Sequence, residues 1–125
     1  MAATKQEIDS ALQGVHTVDI TTTGRKSGKP RTLEIVSHNI DGRIYISGIP
    51  FPRRRSWLAN LDADPHMTFH LRGKVRADLP ATARVIEDEA ERRAILPFIA
   101  RNWGRKDLEK MVGQSPLIEV KIDAP

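Results

Sequence analysis

The stretch from Thr32 to Ser47 constrains the fold more than any other. Two runs rich in β-branched residues, Thr32 to Asn39 and Arg43 to Ser47, flank Asp41-Gly42. Both turn residues tolerate positive φ, so the two runs are predicted to pair as a tight antiparallel hairpin. Leu33 and Ile35 fall on one side of the first run, Glu34 and Val36 on the other. Further strands are predicted elsewhere. Val15 to Thr22 is β-branched, with Val18 and Ile20 sharing a face, and His66 to Leu71 alternates cleanly through Met67, Phe69 and Leu71. Lys74 to Asp78 reads as the next strand, bent at Pro80 before Ala81 to Ile86 continues. Leu117 to Asp123 closes the chain, with Ile118, Val120 and Ile122 on one side.

Helical spacing appears between these strands. Thr4 to Gln13 places Ile8, Ala11 and Leu12 together, and Gly14 is the predicted stop. Ser56 is the predicted N-cap for Trp57, Leu58 and Leu61, a helix ended by Asp62-Ala63-Asp64-Pro65. Asp88 and Glu91 suggest a capping box ahead of an apolar stripe of Ala94, Ile95, Phe98 and Ile99, with Pro97 ending or kinking the helix near Leu96. Leu108, Met111 and Val112 form a last short helix, broken at Gly113. The expectation is a mixed α+β barrel of about six strands with two to three helical segments. The chain reads as a single domain over residues 1–125, with residues 1–14 as an N-terminal helical segment.

With 39% hydrophobic and 29% charged residues, the composition is that of a soluble globular domain. No run is long enough to cross a bilayer, and the polar N-terminus lacks the apolar region of a signal peptide. The chain has no cysteine, which removes disulfides, thiolate nucleophiles and zinc-thiolate sites and is consistent with a cytoplasmic location.

The net charge of +4 becomes informative once located. Thr21 to Arg31 holds Arg25, Lys26, Lys29 and Arg31, with Gly24, Ser27 and Gly28 and no acid; Arg53, Arg54 and Arg55 form a second cluster. Taking these seven from the 20 basic residues leaves 13 against 16 acidic ones, a net −3. Such concentration favours a specific anionic partner over a uniformly basic coat. Freed backbone N–H groups, a hydroxyl and fixed cations would suit an anion, although an ordinary solvated turn has the same composition. Nucleic acid is disfavoured: aromatic residues make up 5% of the chain, too few for stacking, and no recognition helix is evident.

Other chemistry is sparse. His66 and His70 lie about 13 Å apart by strand rise, too far to share a metal, and His16 and His38 stand alone. All four read as solvated or interface positions. No nucleophile elbow, Walker loop or dinucleotide fingerprint is present, so an enzyme here would rely on a bound cofactor. Trp57 and Asn60 share one helical face as a ring and an amide. Taken alone, the residues favour Trp57 as core beside Leu58 and Leu61, and Asn60 as a surface residue.

Thr21-Thr22-Thr23-Gly24-Arg25-Lys26-Ser27-Gly28-x-Pro30-Arg31, the Asp41-Gly42 hairpin, and Trp57-Leu58-x-Asn60-Leu61-x-Ala63-x-Pro65 together resemble the deazaflavin-dependent nitroreductase family. The resemblance implies a split β-barrel of the flavin-reductase and pyridoxamine-phosphate-oxidase type, usually a homodimer. It also implies coenzyme F420 as cofactor, with FMN the lesser choice, and hydride transfer to a nitroaromatic, quinone or related unsaturated small molecule. By the motif match, Arg25, Lys26, Ser27, Gly28 and Arg31 would hold the phosphate and acidic tail. Trp57 and Asn60 would lie beside the ring, with Ser47 and Gly48 lining the cleft.

The segment Ile49-Pro50-Phe51-Pro52-Arg53-Arg54-Arg55-Ser56 departs from the family's reductases, and the tyrosine-rich wall of some relatives is missing. That departure motivates an alternative: a non-catalytic carrier of a fatty acid or other acidic amphiphile, with peripheral membrane or lipid contact and Arg53 to Arg55 meeting the carboxylate.

Overall fold

A computed structural model describes residues 4–123. In chain order the elements are α1 (Lys5–Ala11), β1 (Val15–Thr23), β2 (Pro30–Ile40), β3 (Arg43–Ser47), α2 (Ser56–Ala63), β4 (His66–Arg72), β5 (Arg76–Val85), α3 (Glu89–Trp103), α4 (Leu108–Gln114) and β6 (Leu117–Ile122). The six strands close into an antiparallel barrel in the order β1-β2-β3-β6-β5-β4. The Asp41-Gly42 turn joins β2 to β3 as the sequence requires, with φ of 53° and 86° at its two residues.

Alternation decides what fills the barrel. Val18 and Ile20 of β1, Ile44 and Ile46 of β3, Met67, Phe69 and Leu71 of β4, Leu79, Ala81 and Ala83 of β5, and Ile118 and Val120 of β6 point inward. Trp57, Leu58 and Leu61 of α2 join the same core. Truncating one of the fully buried residues, such as Phe69, would cost about 3–5 kcal/mol. A second cluster lies outside the barrel wall, where Tyr45 and Leu117 meet Ile95, Leu96, Ile99 and Ala100 of α3 and Met111 and Val112 of α4.

The structure departs from expectation at several points. Among the described residues there are four helices, one at each stretch of helical spacing, where the overall count expected was two to three; Thr4 and Glu7 form a reciprocal capping box that starts α1. The expected start of that first segment, residues 1–3, lies outside the described residues. Arg55, not Ser56, occupies the N-cap of α2, and it makes no side-chain cap bond. Pro80 does not interrupt β5, which runs through it from Arg76 to Val85. Its carbonyl accepts from the Asp123 amide at 2.9 Å, so its missing N–H faces the same side, beyond the last β5–β6 pair at Ala81 and Ile122. Asp88 accepts from the Glu91 amide at 2.9 Å, but the Glu91 carboxylate is taken by Arg84, leaving half a capping box.

Pro97 neither ends nor splits α3, which runs to Trp103 and stops at Gly104 with φ 64°. The buried face of α3 is Arg92, Ile95, Leu96, Ile99 and Ala100, whereas Ala94 and Phe98 are exposed. Gly113 lies inside the last turn of α4 and does not break it. Among the described residues, no helix is long and apolar enough to cross a membrane.

Candidate functional site

The cationic loop is the turn between β1 and β2, closed where Thr23 pairs with Pro30. Two backbone bonds shape it, from the Gly24 amide to the Lys29 carbonyl and from the Gly28 amide to the Gly24 carbonyl, both 2.8 Å. The Ser27 hydroxyl accepts from the Lys29 amide at 3.1 Å and keeps its own O–H to donate. Gly28 adopts φ 69°, and a Cβ on Gly24 would lie 2.7 Å from Ser27 Oγ and 3.2 Å from the Lys29 carbonyl. The left-handed φ favours glycine at Gly28, and at Gly24 a side chain would crowd Ser27 and the Lys29 carbonyl. Among the described residues, no protein acceptor meets the Lys26 or Ser27 amide, and no carboxylate pairs with Arg25, Lys26, Lys29 or Arg31.

Asn60 of α2 ties this loop to the barrel. Its Oδ1 accepts from the Arg25 amide at 3.2 Å and from Arg25 Nη1 at 3.1 Å, while its Nδ2 donates to Thr22 Oγ1 at 3.3 Å. Arg25 Nη1 also reaches the Ser56 carbonyl at 3.4 Å. Asn60 is buried, at 6% exposure, so the surface position favoured from its residue type alone is wrong. The reason is the 35-residue gap between Asn60 and Arg25, which the fold closes.

Trp57 is core, as the residues alone suggested, yet it also walls a groove. That groove, about 480 Å³, is lined by Arg25, Lys26, Ser27, Arg31, Trp57 and Asn60, together with Gly24, Thr32, Leu33 and Ser56. Gly28 stands in the same loop. Ser47 and Gly48 lie elsewhere: the buried Ser47 hydroxyl donates to the Pro116 carbonyl at 2.6 Å, and a Cβ on Gly48 would come within 3.1 Å of the Pro116 ring. They face the α4–β6 connection and do not line this groove.

The second cationic segment is differently placed. Arg54 pairs with Asp62 at 2.8 Å and Glu87 at 2.6 Å. Arg55 donates to the Ile49 carbonyl at 3.1 Å and lies 4.9 Å from the centre of the Phe51 ring. The depression around these residues also holds Arg92 and Arg93 and three acids, Glu87, Glu89 and Glu109, which are paired with Arg54 and Arg93.

Residue-type reasoning missed two buried groups. Arg92 carries no buried carboxylate partner; it donates to the carbonyls of Val112, Ile86, Met111 and Ser115, joining α3 to the end of α4. Burial pulls its proton affinity below the ordinary guanidinium value, and Glu87 opposes that. His38, expected to be solvated or at an interface, is fully buried beneath α3. Asn102 donates to its Nδ1 at 3.2 Å, Trp103 meets it edge-on at 4.9 Å, and burial pushes it down to about 4. It is neutral at physiological pH. The outward position shared by His38 and Ile40 on β2 was the available signal.

Known structures share this architecture. The conserved hypothetical protein Rv2991 of Mycobacterium tuberculosis superposes with a TM-score of 0.76 at 17% identity, covering 99% of this chain and 83% of that one. A candidate pyridoxamine 5'-phosphate oxidase from Listeria innocua gives 0.66 at 14% identity, over 95% and 93% of the two chains. These two likenesses show the fold, a split barrel of the pyridoxamine-phosphate-oxidase type, as expected from the sequence. An F420-H2 dependent reductase gives 0.61 at 25% identity, over 84% and 93%. No curated protein matches the sequence. Residues 1–123 match the family model described as F420H(2)-dependent quinone reductase. The chain thus belongs to the F420H2-dependent quinone reductase family, and is an oxidoreductase that draws its electrons from reduced coenzyme F420.

Proposed function

We propose that the chain reduces a quinone or nitroaromatic acceptor, with the charged tail of coenzyme F420 gripped by the β1–β2 loop and the acceptor admitted beside Trp57. One observation carries this reading: Lys26 and Arg31 have no acidic partner among the described residues, and the groove they border is walled by an aromatic ring. The donor set suits a phosphate-bearing, acidic cofactor. Among the described residues two loop amides have no protein acceptor, and a methyl group on Gly24 would crowd Ser27 Oγ and the Lys29 carbonyl. When bound, the reduced deazaflavin supplies a hydride.

The chain's own residues bind, orient and exclude water. Lys26 and Arg31 would donate charge-assisted hydrogen bonds to anionic oxygens, the strong kind. Arg25 is held in place by Asn60, so its backbone turn is ordered before any ligand arrives, which lowers the entropic cost of binding. Trp57 offers an apolar wall that is itself fixed in the core. A homodimer is part of the proposal, supported by a structure described as a domain-swapped dimer at 25% identity and a TM-score of 0.63, covering 84% of this chain and 79% of that one. The carrier alternative finds less support, since Arg54 is paired with Asp62 and Glu87 and Arg55 is bonded to the Ile49 carbonyl, leaving Arg53 without a bonded partner among the described residues.

Titrating the purified protein into oxidised F420 and following the cofactor's fluorescence tests the binding half. Saturation in the micromolar range or tighter is expected, and no change in fluorescence defeats the reading. Reoxidation of the reduced cofactor on adding a quinone, then a nitroaromatic, ranks the acceptors.

A further inference from the structure

A row of four polar side chains crosses the outer face of the barrel from β5 to β2. Asp78 Oδ1 lies 2.7 Å from His70 Nδ1, His70 Nε2 lies 2.7 Å from Thr21 Oγ1, and Thr21 Oγ1 lies 2.8 Å from Thr32 Oγ1. Strand register builds it: Asp78 is directly opposite His70, and Thr32 directly opposite Thr21. All four side chains line one surface depression of about 550 Å³, with Asp78 at one end of the row. At the other end, Thr32 borders both that depression and the Trp57 groove. We propose that Asp78, His70, Thr21 and Thr32 form a proton relay that carries a proton from solvent to the acceptor in the groove.

Donor and acceptor chemistry gives the row a direction. The Asp78 carboxylate only accepts, so Nδ1 carries hydrogen in either state of the ring. A neutral His70 must then accept at Nε2, drawing the Thr21 hydroxyl toward itself. A protonated His70 instead donates from Nε2 to Thr21. The Thr21 hydroxyl then turns to Thr32, and the Thr32 hydroxyl proton is left for an acceptor in the groove that Thr32 borders. Charging the ring therefore turns every donor of the row toward Thr32.

The need for a proton follows from the reaction proposed above, on which this inference rests. A quinone that has gained two electrons and one hydrogen as hydride carries a negative oxygen and lacks one proton. Thr32 gives that oxygen its hydroxyl proton and takes the one from Thr21. Thr21 takes the Nε2 proton of the imidazolium, and His70 ends neutral with Nδ1–H still on Asp78. Water in the depression restores the lost proton. Atoms and charge balance, and the row requires no further redox partner.

Hydroxyl, imidazole and carboxylate in line also describe an acyl-transfer triad, but the surroundings argue against one. The β1 and β4 backbone around the row is committed to strand pairing, with Asp19, Ile20 and Thr21 paired on both sides, which leaves no amide to hold an oxyanion. The charged groups around His70 leave Asp78 as its one bonded carboxylate among the described residues. Asp19 on β1 and Glu34 on β2 are held by Arg72 of β4 at 3.0 and 2.9 Å, and Arg76 of β5 borders the same depression.

The test compares H70Q and T32V with the unaltered protein, with folding checked by circular dichroism and F420 affinity by fluorescence. Affinity should stay within about twofold in H70Q, whose side chain lies outside the Trp57 groove, while quinone turnover falls by about 10- to 100-fold in both variants. The double variant should lose no more than the worse single one, as members of one relay do. In the unaltered protein turnover should fall as pH rises, with a midpoint matching the His70 titration followed by NMR, and in H70Q that inflection should vanish. Without any cofactor, imidazole 15N shifts should report hydrogen on Nδ1 and a hydrogen-bonded Nε2, the latter abolished by T21V. Turnover within twofold of normal in both single variants, or a ring carrying hydrogen on Nε2 alone, overturns the relay. Loss of F420 binding by the unaltered protein would instead overturn the function proposed above. T32V alters an exposed strand position and guards against misfolding of H70Q.

Discussion

Two segments of this chain look alike in composition and differ in what their charges do. Gly24 to Arg31 and Arg53 to Arg55 are both cation-rich and acid-free in sequence. In the fold, Arg54 spans Asp62 of α2 and Glu87 ahead of α3, while Arg55 meets a carbonyl and the Phe51 ring. Among the described residues Arg54 is the member of the triplet paired with carboxylates, and the β1–β2 loop meets none. Its one anchored cation, Arg25, is held by the neutral amide of Asn60 and the Ser56 carbonyl. A cation already paired has used much of its attraction, and a new anion must displace the old partner or share it. An unpaired cation on an ordered loop meets no such competition. Clustered charge marks a binding site only where the fold withholds the counter-ions.

The contrast breaks most sharply under charge reversal. Combining Lys26→Glu with Arg31→Glu should weaken F420 binding by about 100-fold or more, since each removes a charge-assisted bond and adds repulsion. The melting temperature should move by no more than about 2 °C, because both side chains are exposed and unpaired. Undiminished affinity in a fluorescence titration would remove the distinction between the two segments.

Asn60→Ala probes what holds the loop rather than what the loop holds. It strips the acceptor from the Arg25 amide and the donor from Thr22, whose side chain is 1% exposed. A loss of about 1–3 kcal/mol in unfolding free energy is expected, together with roughly tenfold weaker cofactor binding. Denaturant melts and the titration should both respond, unlike the charge reversal, which spares stability. A variant with normal stability would show that the loop stands without its anchor.

How much of this was legible depends on sequence distance. The barrel strands were readable because their signal is local: Met67, Phe69 and Leu71 alternate within one strand, and Asp41-Gly42 encodes its own turn. The loop was readable for the same reason, with glycines, serine and cations all within a few residues. Asn60 was misjudged because its partners lie on β1 and the following turn. Arg54 gave no sign of being neutralised, since Glu87 is 33 residues away. On α3 the stripe was right at Ile95 and Ile99 and wrong at Ala94 and Phe98, because Arg92 takes a buried position that an apolar count skips, turning the inner face toward Leu96 and Ala100. Pro97 was read by its missing N–H alone. Burial of Ile95, Leu96, Ile99 and Ala100 on both sides of it holds the helix together. The Thr21–His70–Asp78 row depends wholly on strand register, which no local pattern states.

Arg54→Ala gives the smallest effect and the sharpest check on the other half of the contrast. Its side chain is 41% exposed, and its two ion pairs are open to solvent and salt. Such pairs contribute about 0–1 kcal/mol each, so the variant should melt a few degrees lower at most. That deficit should shrink as ionic strength rises, because screening removes what the substitution removes. F420 affinity should stay within about twofold. The opposite result, weaker cofactor binding with an unchanged melting temperature, would mean that the Asp62 and Glu87 contacts yield to the ligand and that the arginine triplet belongs to the binding surface. Arg54 would then be a gate held shut by acids rather than a strut, and counting counter-ions in the unliganded fold would no longer separate the two segments.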